Sequence, residues 1–131
     1  MPIVTLYAAL LALLFVVLSV RALRMRRRLG IAIGDSGNSE MLRAMRVHSN
    51  FAEYVPLSLL LVFFVESGGA PAWLVHGLGL CLLIGRLAHA FGVSQAKENY
   101  VFRVTGMGLT FTTLVVSVAY LLYAHAGRAI T

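Results

Sequence analysis

Arg43, Arg46, Asn50 and Glu53 are spaced three, four and three residues apart. At about 100° per residue of an ideal helix they fall within an arc of roughly 80°. The stretch that carries them runs straight into Leu57–Val65, which is wholly apolar apart from Ser58. Ionisable groups on a helix that enters lipid are expensive, and they usually face a bundle interior or a polar cavity. Arg86 and His89 lie near the end of a later apolar run, and Arg103 near the start of the last one. Together these groups suit one kind of guest. Arginine binds carboxylates through paired donors, glutamate binds an ammonium group, and asparagine and histidine read amides. A small zwitterion with carboxylates and an amine fits better than a lipid tail. A metal does not fit: there is one cysteine, Cys81, and the histidines lack a tight carboxylate pattern. A second reading stays open, in which Glu53 neutralises Arg46 or Arg86 and the network only locks the bundle. His48 points about 160° away from Asn50 on an ideal helix, towards a neighbouring helix or subunit.

The elements that hold these residues follow from composition. The chain has 131 residues, 60% hydrophobic and 12% charged. An ordinary soluble domain of this size could not bury that much apolar surface. A hydrocarbon core of about 30 Å needs roughly 20 helical residues, and unpaired backbone groups in lipid exclude anything but helices or closed barrels. The apolar runs are too long for barrel strands. The expected fold is all-α: a bundle of four transmembrane helices over about residues 3–20, 40–65, 72–91 and 100–123, in a single domain of residues 1–131.

The first run has no charge before Arg21, and five arginines follow between Arg21 and Arg28. A signal peptide has its cations before the apolar run, so this segment reads as a retained span. Gly30, Gly34, Gly37 and Asn38 mark a loop, and Ser39 is the expected cap of the second helix, with Glu40 in its first turn. Pro56 is expected to interrupt the hydrogen bonding of that helix. Glu66 to Pro71 reads as a tight turn. Trp73 marks an interface; Gly77, Gly79, Gly85, Gly106 and Gly108 offer close helix contact. The tail from Ala124 is expected to be short and loosely held. The basic first loop, and Lys97 between Arg86 and Arg103, place the two loops on the cytoplasmic side by the positive-inside rule. Both termini then lie outside, in what reads as a bacterial inner membrane, and the polar groups gather at the cytoplasmic ends. The arginine run lacks interleaved aromatics, so nucleic acid is not the expected partner.

Arg46-Val-His48-Ser-Asn50-Phe-Ala-Glu53-Tyr54-Val-Pro56 resembles the second-helix signature of the MAPEG superfamily, membrane-associated proteins in eicosanoid and glutathione metabolism. Gly85-Arg86-Leu87-Ala88-His89 resembles its third-helix motif. The resemblance implies a four-helix bundle assembled as a homotrimer, with glutathione bound between protomers. Arg46, His48, Asn50, Glu53, Tyr54, Arg86 and His89 would contact glutathione. Arg103 matches the arginine that stabilises its thiolate, which would attack a hydrophobic electrophile arriving from the lipid, as in a glutathione transferase or a glutathione peroxidase-like enzyme. Val93 stands where several members have a tyrosine, and Val104 and Met107 replace polar residues of some synthases. These departures keep a second function open, a non-catalytic protein that binds glutathione or lipid on the same scaffold.

Overall fold

The structure is a computed structural model and describes residues 1–97 and 99–128. It contains four α-helices: α1 (Ile3–Leu29), α2 (Ser39–Ser67), α3 (Ala72–Ser94) and α4 (Tyr100–Arg128). All four are long and apolar enough to cross a membrane. α2 and α3 form the middle pair, and α1 and α4 each pack against both. Among the described residues α1 and α4 do not approach one another.

Two apolar clusters hold α1, α2 and α3. Leu11, Leu18, Val47, Phe51, Val55, Leu82 and Val93 form one. Val4, Val62, Val65, Val75 and Leu78 form the other. On α2 the buried positions 44, 47, 51, 55, 58, 62 and 65 recur every three or four residues, which is the period of one helix face. The α3–α4 seam is different in kind. A Cβ placed on Gly106 would lie 2.5 Å from the His89 backbone nitrogen and 2.6 Å from the Gly85 carbonyl oxygen. The two backbones therefore meet directly, as small residues allow where no hydrophobic drive exists between helices in lipid. Thr110, Thr113 and Ser117 continue this seam and are fully buried. The Thr113 hydroxyl lies 3.3 Å from the Leu78 carbonyl, and the Cys81 thiol 3.3 Å from the Leu109 carbonyl.

Several boundaries differ from the sequence expectation. α1 does not end near Val20 but continues through all five arginines to Leu29. Arginine is a good helix former, and cations suit a helix C-terminus. The stop is Gly30, with φ +66°, a conformation that a Cβ disfavours. The cap of α2 is Asn38 rather than Ser39: its side chain accepts from the Glu40 and Met41 amides, each at 3.0 Å. α2 stays helical through Pro56. α4 runs on to Arg128, past the expected end near residue 123, and the last three positions of the expected tail lie outside the described residues. Gly77 and Gly108 face open space, so they are not packing sites within the chain. Glu66, expected in a turn, ends α2 and accepts from the Ile3 and Val4 amides at the start of α1. No side chain at Pro2 caps that helix, so the carboxylate takes over two orphan donors and meets the positive end of the helix dipole.

Candidate ligand site

Packing the buried face of α2 against α1 and α3 turns the polar stripe towards the gap between α2 and the α3–α4 pair. There Arg43, Arg46 and Asn50 of α2 meet His89 and Val93 of α3 and Arg103 of α4 around a cavity of about 210 Å³. It lies at the end of the bundle where the α1 arginines and the first loop are. Neither Arg43 nor Arg46 makes an ion pair with a described residue. Sites that enclose a drug-sized ligand are usually about 300–1,000 Å³, so one chain presents a partial site.

Arg86 lies behind this cavity and is 2% exposed. One of its terminal nitrogens donates to Asn50 Oδ1 at 2.8 Å. The other faces the Gly106 carbonyl at 3.4 Å and Met107 Sδ at 3.3 Å. A guanidinium has only donors, so the Asn50 oxygen must be the atom turned inward, and its amide NH₂ is what remains to offer a guest. The guanidinium carbon sits 5.9 Å from the centre of the Tyr54 ring, which meets Phe111 of α4 edge-on at 5.6 Å. Arg86 thus joins all three helices that wall the cavity. Among the described residues its Nε is buried without a partner.

The remaining α2 candidates, Glu53 and His48, do not line the cavity. Glu53 is exposed and makes no ion pair or hydrogen bond with a described residue, so the bridge to Arg46 or Arg86 that would lock the bundle is not formed. Among the described residues the one ion pair is Arg28–Glu40, at 2.7 Å and well exposed. His48 faces α1, as its angle predicted: it stacks on Phe15 at 4.8 Å and lies 3.0 Å from the Ser19 hydroxyl.

Of the eight residues singled out in the sequence, Arg46, Asn50, His89 and Arg103 line the cavity. Arg86 and Tyr54 stand directly behind it, His48 lies on another face of α2, and Glu53 shares the face of Arg46 but sits about two turns further along the helix, beyond the cavity. Arg43 is the charged lining residue that motif reasoning left out, although its place in the polar stripe marked it; Ser39 and Leu42 complete the wall. Arg103 reaches the site because α4 begins close under α3. A Cβ on Gly92 would lie 2.7 Å from the Arg103 backbone nitrogen.

Comparison with known proteins places the chain in a family. Two relatives, both described as inner membrane protein YecN, come from Escherichia coli K12 and Escherichia coli O6:H1. Each is 40% identical over 113 residues, which is 86% of this chain and 85% of the relative. Residues 4–123, reaching into all four helices, match the MAPEG family. With four apolar helices and a family match over nearly its whole length, the chain is an integral membrane protein and belongs to the MAPEG family.

Proposed function

We propose that the protein is a glutathione-dependent transferase of the bacterial inner membrane, acting on hydrophobic electrophiles as a homotrimer with its site towards the cytoplasm. The observation that carries this reading is the meeting of Arg43, Arg46, Asn50, His89 and Arg103 at one cavity. Guanidinium groups match the two carboxylates of glutathione, and the amide NH₂ of Asn50 and the His89 ring match its peptide groups. The inner-membrane location is taken from the description of the relatives.

Two features favour assembly around the site. The cavity of one chain is small, and Glu53 is exposed on an apolar helix, where a carboxylate needs a partner. A neighbouring protomer would enlarge the first and shelter the second. Glu53 would then meet the ammonium group of glutathione, and His48 would face the guest from the adjoining subunit. Arg103 supplies the chemistry. A free thiol has a pKa of about 8.5, and a nearby cation lowers it. The thiol proton passes to solvent, the sulfur forms the new bond to the electrophilic carbon, and the leaving group departs with the displaced electron pair.

Val93 in the cavity wall favours the second reading, binding without turnover, because an apolar side chain there gives the thiol no hydrogen-bond donor. Calorimetry with glutathione on the detergent-solubilised protein tests binding; Arg46→Ala and Glu53→Ala should weaken it. Thiolate absorbance near neutral pH tests activation. It should vanish in Arg103→Ala while binding persists, and an absorbance unchanged in that variant refutes the role. Turnover assays across small electrophiles separate the two readings.

A further inference from the structure

We propose that the outward face of α1 at its arginine-rich end binds one anionic phospholipid. Arg21, Arg24 and Arg28 would take the phosphate-bearing head, and Val16, Val17 and Val20 the first part of an acyl chain. These residues line an open groove of about 540 Å³, separate from the ligand cavity. Their spacing of three, four and seven keeps them on one side of the helix. The groove changes character along its length, apolar towards the middle of the span and cationic towards Leu29, and no carboxylate lines it. Only an amphiphile with a negative head matches both ends. The dimensions agree: Val16 to Arg28 covers about 18 Å at 1.5 Å per residue, close to half of the roughly 40–45 Å bilayer with its headgroup regions.

The three arginines are not equivalent. Arg21 donates to the Ser94 hydroxyl on α3, and Arg28 pairs with Glu40 on α2. Both are thereby held in place beside the groove. Arg24 is exposed and bonds to no described residue, so its planar fork is the group available to grip a phosphodiester. Arg26, by contrast, turns back to the Gly34 carbonyl at 3.0 Å. Orienting the chain in the membrane requires only that cations be present at this end. A built groove requires these three in register with the valines.

Native mass spectrometry of the detergent-solubilised protein, with added phosphatidylglycerol or phosphatidylcholine, tests the proposal. The expected result is one phosphatidylglycerol per chain, retained several-fold better than phosphatidylcholine and not displaced by millimolar inorganic phosphate. Arg24→Gln should reduce that retention to the phosphatidylcholine level; the four remaining arginines keep the topology signal, and an unchanged melting temperature shows that the fold is intact. Val17→Trp should do the same by filling the groove with no change in charge. Equal retention of the two lipids, displacement by phosphate, or a preference that survives both substitutions would overturn it. So would a face covered by a second copy, seen as an assembly that carries no lipid and dissociates in Val17→Trp.

Discussion

Replacing Gly106 by alanine adds one methyl group at the point where α3 and α4 touch. Its carbon would sit 2.5 Å from the His89 nitrogen, 2.6 Å from the Gly85 oxygen and 2.8 Å from the His89 Cβ. Two of those three atoms are backbone, so no side chain can swing aside. Restoring ordinary contact, which begins at 3.4 Å, requires one helix to move by roughly 1 Å, and overpacking of this kind costs about 1–3 kcal/mol. The displacement also reaches the ligand cavity, because His89 lines it and the Gly106 carbonyl faces Arg86. Gly106→Ala should therefore lose about 1–3 kcal/mol in reversible denaturation in detergent, and its affinity for glutathione should fall in the same preparation. Gly108→Ala is the internal control. It lies two residues away, meets nothing within 4 Å, and should be neutral or slightly stabilising because alanine is the better helix former. If Gly106→Ala proves as harmless as Gly108→Ala, the backbone-to-backbone crossing is wrong.

Three more outcomes are expected. Glu66→Gln removes the charge that caps α1 and should destabilise the fold by about 0.3–1 kcal/mol in low salt, with glutathione affinity unchanged; a loss of affinity without loss of stability would contradict the capping role. Tyr7→Phe deletes the 2.9 Å hydrogen bond to His76 Nδ1 and should cost about 1 kcal/mol in thermal or denaturant unfolding; no measurable change would show that the bond contributes nothing. Arg86→Lys keeps the charge but loses the fork that holds Asn50, Gly106 and Met107 together, so both stability and affinity should drop, stability by about 1.5–3 kcal/mol. A stable variant with weakened binding would instead make Arg86 a direct ligand.

The four spans were legible because hydropathy is additive along a chain, and lipid leaves the backbone no alternative to the helix. The end of α1 was not. Arg21–Arg28 read as loop by polarity, yet arginine favours helix, and the stop signal was the glycine at position 30. Arg43, Arg46 and Asn50 were correctly grouped by angle, and His48 was correctly set apart. Angle alone could not say how α2 is rotated within the bundle. Nor could angle say how far along α2 the cavity extends: Glu53 shares the face of Arg46 but lies about 10 Å further along the axis, outside the cavity. The glycines show the same limit: Gly106 and Gly108 look alike in sequence, and only the crossing point distinguishes them. Arg86 was recognised by motif as a ligand contact, but its burial and its bond to Asn50 depend on three helices and have no local signature. The hydroxyl seam at positions 110, 113 and 117 has a three-four spacing, but its apolar neighbours carry no local sign of which face of α4 meets α3.

The reach of Glu66 back to Ile3 and Val4 bears on how the chain enters the bilayer. During synthesis the first helix emerges with its leading amides unanswered, and the group that answers them arrives more than sixty residues later. The opening helix is therefore finished by the return stroke of the second, and the α1–α2 hairpin is the smallest piece of the chain in which those amides are answered.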